Sequence, residues 1–321
     1  MRTLIATTLT LAALLAPAAH AADPWPTKPI KLVVPYTPGG LTDVLARVVG
    51  QKAGATLGQP IIVENKPGAS TLIGAEYVAK SAPDGYTLLM TGTTTLTTNP
   101  LLMKKLPYKV ADFTPVALVG MVPFIAVAHP SVPANNLQEL LAYAKANPDK
   151  LTYSTSGQGT SSHLVAAMFA AATGTKLRDV PYKGSGPALN AVLSGEVSMT
   201  FDGVTLYIPY VNTGKLKAIA LTGDHRLPAL DKLPTLAESG YKDAVATALF
   251  GIVAPAGTPR PVIHQVNAAV QRAMADPEVV ARLRDFNAYV EPRSAEAFGE
   301  LLQREAELWG RIIAPLNIQL D

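Results

Sequence analysis

The 321-residue sequence predicts an α/β fold of two domains with a ligand cleft between them and an all-helical C-terminal tail. Three observations carry this. Short β-branched runs alternate with helix-length amphipathic segments, the pattern of a parallel sheet covered by helices. Two proline-rich crossings, His129-Pro130-Ser131-Val132-Pro133 and Ala254-Pro255-Ala256-Gly257-Thr258-Pro259, bracket a central stretch with its own strands and helices. From Pro261 onward only helical periodicity is found.

Taken in order, Ile30 to Tyr36 reads as a buried strand and Leu41 to Leu57 as the helix after it. Further strands are expected at Ile61 to Glu64, Tyr86 to Thr91, Phe124 to Ala128, Leu151 to Ser154, Asp179 to Tyr182, Val197 to Asp202, Leu216 to Thr222 and Ala248 to Ala254. Helices are expected at Ile73 to Ser81, Leu137 to Ala146, Ser161 to Thr173 and Gly186 to Leu193. The tail reads as Pro261 to Ala275, Pro277 to Phe286 and Ser294 to Ile313, its first helix opened by prolines as helix starts favour. A helical tail of this kind packs most economically back over the first domain. The expected division is residues 22–128 plus 249–321 for domain 1 and 129–248 for an inserted domain 2.

Met1 to Ala21 read as a secretory signal peptide: Arg2 is the positive n-region, Leu4 to Ala16 are uncharged and apolar, and Ala19-His20-Ala21 is a small-x-small cleavage pattern. Cleavage is expected near Ala21-Ala22. The apolar run is too short to span a bilayer, which takes about 20 residues. The absence of cysteine removes disulfides, thiolate chemistry and an N-terminal lipid-modified cysteine. Losing Arg2 with the signal lowers the formal charge from +3 to +2, and the remaining charges are mixed along the chain. With no basic run and only 6% aromatic residues, a nucleic-acid surface is not expected.

The ligand-binding loops are expected where strands hand over to helices, because open α/β sheets bind ligands beyond the carboxyl ends of their strands. Pro35-Tyr36-Thr37-Pro38-Gly39-Gly40-Leu41-Thr42-Asp43 joins the first strand to the first helix. Adjacent glycines allow close backbone approach, and the first helical N–H groups point outward unpaired, which suits an anion. Equally, it reads as a tight turn with Thr42 or Asp43 capping the helix. Ser154 to His163 is a second such loop, dense in glycine and hydroxyls, where His163 either donates to a ligand or serves a neighbouring carbonyl. Tyr182-Lys183-Gly184-Ser185-Gly186 repeats the logic, with Lys183 a solvated charge or rim contact. Asp202 in Phe201-Asp202-Gly203 either orients a donor or a water in the cleft or forms an Asx turn.

Catalytic signatures are missing: no G-x-S-x-G elbow, no H-E-x-x-H and no phosphate-binding loop occur, and the histidines lack metal-ligand spacing. No cofactor is expected. A serine paired with His163 in an exported hydrolase is the rival that spacing alone leaves open.

With these loops assembled, the sequence resembles the Bug receptors, the extracytoplasmic solute-binding subunits of tripartite tricarboxylate transporters. The resemblance runs over essentially the whole mature chain. It is carried by Trp25-Pro26-x-Lys28-Pro29-Ile30, Pro35-Tyr36-x-Pro38-Gly39-Gly40-x-Thr42-Asp43, Val63-Glu64-Asn65-Lys66-Pro67-Gly68-Ala69, Pro83-Asp84-Gly85-Tyr86-Thr87-Leu88 and the Ala254 to Pro259 crossing. It implies a two-domain, type II-like periplasmic binding fold closing on a small carboxylate, a di- or tricarboxylate or an aromatic acid, with no chemistry. It also implies a monomer that serves the membrane subunits of a transporter, or alternatively a receptor for a membrane kinase.

The site residues carried over by the resemblance are Tyr36, Thr37, Gly39, Gly40, Thr42 and Asp43 on one side, and Gly157, Thr160, Ser161 and His163 on the other. Asp202 matches a family Phe-Asp-Asn stretch, and Thr93, Thr94 and Tyr182 complete the expected cleft lining. Three departures bear on the pocket. Ser70-Thr71-Leu72 stands where Gly-Gly-Asn is common, Leu41 replaces a smaller residue or proline, and Gly203 replaces asparagine. The two leucines suggest a more apolar site unless they pack away from it.

Overall fold

In a computed structural model, residues 25–320 are described; the signal peptide reading falls outside them. Among the described residues, nine strands form one curled sheet covered by ten helices. β1 (Ile30–Val34), β2 (Ile61–Asn65) and β3 (Thr87–Gly92) are parallel, with α1 (Leu41–Leu57) and α2 (Leu72–Ala79) as crossovers. A π-helical turn at Thr94–Thr98 and the short α3 (Asn99–Leu102) follow β3.

β4 (Phe113–Ala128) is sixteen residues long and runs through both halves of the molecule. The second half adds α4 (Leu137–Ala146), β5 (Thr152–Thr155), α5 (Ser161–Thr173), β6 (Arg178–Pro181), α6 (Ser185–Ser194), β7 (Met199–Gly203), α7 (Val204–Asn212) and β8 (Lys217–Leu221). The chain returns through β9 (Thr247–Pro255) and ends in α8 (Arg260–Met274), α9 (Pro277–Asp285) and α10 (Ala295–Ile313).

Strand pairing defines two lobes. Phe113 to Pro123 of β4 pairs antiparallel with β9, which in turn pairs with β3. Phe124 to Ala128 pairs instead with β7 and β8, and β7 leads on to β5 and β6. The hand-over lies between Pro123 and Phe124. Thr222 stitches it: its N–H donates to Phe124 O (3.0 Å), its Oγ1 accepts from Phe124 N (3.1 Å) and donates to Ala246 O (2.7 Å), and Ala246 N donates to Thr222 O (3.0 Å). One buried threonine thus ties the outgoing crossing at Phe124 to the returning chain at Ala246.

Each sheet face has its own apolar core. The β-branched runs read as strands supply it, among them Ile30, Leu32 and Val34 from β1 and Ile125 and Val127 from β4. A continuous core runs under α1, α8 and α9 in lobe one and under α6 and α7 in lobe two. The opposite face of lobe two packs on α4 and α5, and that of lobe one on α2 and Phe298 of α10. The helical tail packs on lobe one as expected and then continues past it, because Trp309, Ile313 and Ile318 are buried in the lobe-two core. A helix of 19 residues, about 28 Å long, is sufficient for that crossing.

Two elements differ from the reading of the sequence. β4 begins at Phe113 instead of Phe124; Pro115, Gly120 and Pro123 disguise its first half, and the register shifts beside Pro115 and Gly120 show how they are accommodated. α7 carries Pro209 in its interior and was not expected as a helix.

Removing the Thr222 hydroxyl with Thr222→Val is expected to leave Phe124 N–H without its side-chain acceptor and to cost roughly 1–3 kcal/mol in urea denaturation. A second prediction concerns Glu305, which accepts from Trp309 Nε1 (3.1 Å) between the two cores. Burial pushes its carboxyl up to about 7, against the opposing effects of Trp309 and Arg304. The folded protein then holds a proton that the unfolded chain releases near 4.5, so stability is full below that pH and falls as pH rises to about 7. The loss is about 3 kcal/mol. Glu305→Gln should flatten this decline and be the more stable protein at pH 8.

Candidate functional site

The topology sets two groups of strand ends against each other at the waist. Gly92, closing β3, pairs with Phe250 near the start of β9, and the start of β9 pairs with Val122 and Pro123 of β4. Gly203, closing β7, pairs with Phe124. The carboxyl ends of the parallel strands in both lobes therefore converge on Val122 to Phe124, and the helices that follow start there. α4, α9 and α10 are capped by the side chains of Asn136, Asp276 and Ser294, while α8, which also starts away from the waist, begins on Pro259 without one. α1, α5, α6 and α7 begin on Gly40, Thr160, Gly184 and Gly203 with no side-chain cap.

In the first loop, the earliest intrahelical bond of α1 is Val44 N to Gly40 O (3.0 Å), so the N–H groups of Leu41, Thr42 and Asp43 have no partner within the helix. Thr37, Gly39 and Gly40 are exposed, while Thr42 is buried. Asp43 works inside the protein. Its Oδ2 accepts from Gly39 N (2.9 Å) and Arg47 Nε (3.0 Å), and its Oδ1 from Asn65 Nδ2 (2.9 Å) and the Arg47 guanidinium (2.9 Å). Burial disfavours the charge, but these bonds outweigh it and hold the carboxyl below its ordinary range. Asn65 also donates to Tyr36 O (3.0 Å). This bracket holds Gly39 in a left-handed turn (φ 87) that glycine adopts without strain. Arg47 and Asn65 were not singled out in the sequence; the Arg47 spacing of one helical turn from Asp43 was the available signal.

Tyr36 is half-buried, its hydroxyl pushed up in pKa by burial and partly relieved by Thr94 and Thr95. That places Tyr36 against the π-helical turn. Thr93 is occupied, its Oγ1 accepting from Leu249 N (2.9 Å), whereas Thr94 is partly open.

The second loop is built the same way with different side chains. Ser162 accepts from Ser156 N (2.9 Å), Thr160 Oγ1 donates to Gly157 O (2.6 Å) and lies 3.0 Å from Ser162 Oγ. His163 is buried and its Nδ1 accepts from Gly159 N (3.1 Å). The first helical bond of α5 is Leu164 N to Thr160 O (3.0 Å), which leaves the N–H groups of Ser161, Ser162 and His163 without partners in the helix. Ser161 is partly exposed. Leu102 and Leu320 close over Gly159: a Cβ there would come within 3.1 Å of Leu320.

Tyr182 joins this loop through its backbone, N–H to Thr155 O (2.9 Å), while its hydroxyl donates to Glu196 (2.7 Å). Asp202 ends β7. Its Oδ1 accepts from Gly203 N (2.8 Å), and its Oδ2 is buried with no hydrogen-bond partner. Burial raises its pKa; the Gly203 N–H and the nearby Ser185 hydroxyl offset part of that.

The expected residues thus fall into two groups at uncapped helix starts, and the protein itself engages the carboxylate of Asp43, the hydroxyl of Thr93 and Nδ1 of His163. Surface cavities lie elsewhere: one of about 870 Å³ against the starts of β4, α8 and α10, and one of about 700 Å³ against α8 and α9. Both are lined mainly by apolar surface. Among the described residues, no cluster of three or more His, Cys, Asp or Glu is placed to hold a metal ion, and no helix is long and apolar enough to cross a membrane.

A family profile described as tripartite tricarboxylate transporter family receptor matches residues 45–318. Protein BugT of Bordetella pertussis is 38% identical over 261 residues, covering 81% of this chain and 80% of BugT. An R. palustris protein solved with adipate is 33% identical, with a TM-score of 0.74 over 90% of this chain and 97% of that one. MatC from Rhodopseudomonas palustris, solved with bound malate, is 34% identical, with a TM-score of 0.71 over 90% of this chain and 100% of that one.

The His163 contact gives a prediction. Burial lowers the pKa of this imidazole, so it stays neutral in the folded protein below the pH at which the unfolded chain takes up a proton. Its contribution is present above about pH 6.5 and is lost as pH falls through the lower folded value. His163→Asn, which offers an acceptor near the Nδ1 position, should lack that part of the acid-dependent loss seen when wild-type and variant melting temperatures are compared from pH 7.5 to 5.

Proposed function

The chain belongs to the tripartite tricarboxylate transporter receptor family, and on that premise we propose that it captures a small organic carboxylate in the periplasm and hands it to the membrane subunits of such a transporter. Receptors of this family bind substrate without transforming it, so the protein is not an enzyme. The cargo is a di- or tricarboxylate or an aromatic acid, consistent with the adipate and malate of its two structural relatives. The N-terminal signal peptide directs export and is cleaved near Ala21-Ala22, and the receptor acts as a monomer.

The observation that carries this reading is the opposition of α1 and α5, whose first N–H groups have no helix partner and no side-chain cap. Positive helix ends favour an anion from both sides. Tyr36, Thr37, Gly39, Gly40, Thr42 and Thr94 form the lobe-one wall, and Gly157, Thr160, Ser161, Tyr182 and Asp202 the lobe-two wall. Asp43, Thr93 and His163 shape these walls from behind. The two lobes meet where β4 changes partners between Pro123 and Phe124, five residues before the expected boundary at 128, and the end of α10 packs on lobe two. Ligand contacts to both lobes select the closed arrangement.

Titration of the mature protein with a panel of organic acids tests the proposal. Binding near micromolar is expected, and acid at about 100 times Kd should add about 2.7 kcal/mol of stability. Gly40→Val, which puts a branched side chain at the open start of α1, and Thr160→Val, which frees the Gly157 carbonyl that the hydroxyl holds, should each weaken the same acid by at least about tenfold, comparable to one hydrogen bond to a charged group. A loss confined to one loop would show that the loops do not share a ligand, and stabilisation by neutral sugars or amines in place of acids would overturn the anion reading.

A further inference from the structure

The cavity of about 700 Å³ is walled by both lobes. His225 to Ala229, the stretch after β8, line it from lobe two, and α8, α9 and residues 287–292 line it from lobe one. None of the residues assigned to the cleft walls lines it. Its volume falls within the roughly 300–1,000 Å³ of sites that take small ligands.

The walls are fastened to each other across the lobes. Tyr289 exchanges two backbone hydrogen bonds with Met121 of β4 (2.7 and 2.9 Å), and its hydroxyl donates to Asp224 Oδ1 in lobe two (2.6 Å). The Thr205 hydroxyl of α7 donates to Phe286 O (2.5 Å). The segment between α9 and α10 is thereby tied to both lobes, and a cavity between surfaces already held needs little ordering when it is filled.

Its lining sets the chemistry of an occupant. Leu227 from lobe two and Met274, Leu283 and Ala288 from lobe one belong to the buried core, and the partly exposed Val280 and Val290 extend that surface. An apolar body gains by leaving water against it. Of the charged groups in the lining, three are already engaged. Arg226 Nε donates to both oxygens of Glu238 (2.9 and 2.8 Å) and its Nη1 to Asp231 O (3.0 Å). Glu291 accepts from Arg293 (2.6 Å), and His225 Nδ1 lies 2.8 Å from Asp224 Oδ1. The exposed Arg284 side chain has no hydrogen bond or ion pair among the described residues, and the adjacent Asp285 pairs with Arg282 instead (3.4 Å). A guanidinium at the edge of an apolar cavity suits a carboxylate, which it can meet with two parallel N–H bonds. A cationic ligand would find like charge at Arg226 and Arg284.

We propose that this cavity is a second ligand site, separate from the cleft, for a monocarboxylate with an apolar chain or an aromatic body. Its acid group pairs with Arg284 and its body lies against Leu227, Met274 and Leu283. An occupant there touches both lobes at once.

Calorimetric titration of the mature protein with octanoate and 2-naphthoate, and with octylamine as the cationic counterpart, tests this. At least one of the two acids is expected to bind with Kd below about 1 mM, and octylamine at least about tenfold more weakly. Arg284→Gln removes the charge and should weaken the acid about tenfold, the range of a hydrogen bond to a charged group. Ala229→Trp fills the cavity from an exposed position and should abolish binding of that acid. Gly40→Val, at the cleft, should leave it unchanged. Melting transitions of the three variants confirm that each is folded. Failure of both acids to bind overturns the inference, and so does octylamine binding as tightly as either acid. Binding that survives Arg284→Gln and Ala229→Trp but is lost in Gly40→Val also overturns it, and places the acid in the cleft.

Discussion

Everything in this molecule is arranged around a strand that does not stop. β4 is the edge strand beside β9 in lobe one and then, without a break, the strand between β7 and β8 in lobe two. Because its two halves pair with different partners, the change of partner must occur at one level, and β9 and β7 must both end or begin there. That requirement brings the carboxyl ends of two separate parallel sheets to the same height from opposite sides. The cleft is thus a consequence of sheet connectivity. Thr222 gives the junction its strength by satisfying Phe124 and Ala246 with backbone and hydroxyl together, in a place where an unpaired peptide group would be costly.

The same economy governs both loops. A helix start left open for a ligand requires that the loop before it be held by something other than the helix, since loose backbone would also have to be ordered on binding. In lobe one Asp43 reaches back to Gly39 and is itself held by Arg47 and Asn65. In lobe two Ser162 and His163 reach back to Ser156 and Gly159. Residues four to six positions further along the chain do the holding in each case, leaving the intervening N–H groups outward.

This explains what was legible in the sequence and what was not. The alternation of strands and helices, the glycine and hydroxyl loops and the all-helical tail could be read because each is a local pattern with a local cause. The individual duties of Asp43 and His163 could not. Their residue types fit a ligand contact and a loop brace equally, and only the positions of Gly39 and Gly159 in space decide between them. The first half of β4 was hidden by prolines and a glycine that a long antiparallel strand absorbs as register shifts. α7 was hidden by Pro209. The reach of α10 into lobe two depends on which core lies beneath Trp309, which no periodicity reports.

The segment at 69–71 shows what the family departure costs and how it is offset. Ala69, Ser70 and Thr71 all have positive φ (46, 50 and 78), a region that disfavours side chains and suits the glycines common there. Three such residues in a row represent strain on the order of a few kcal/mol. The surroundings hold them in place: Asn99 donates to Ser70 O (2.8 Å), Thr95 donates to Thr71 Oγ1 (2.9 Å), and Tyr108 donates to Thr95 O (2.6 Å). These bonds tie the loop to the π-helical turn, whose Thr94 and Thr95 meet Tyr36. Replacing glycines with hydroxyl-bearing residues therefore exchanges a permissive backbone for a cross-braced one. The backbone behind Tyr36 is thereby held from both the 69–71 segment and the π-helical turn.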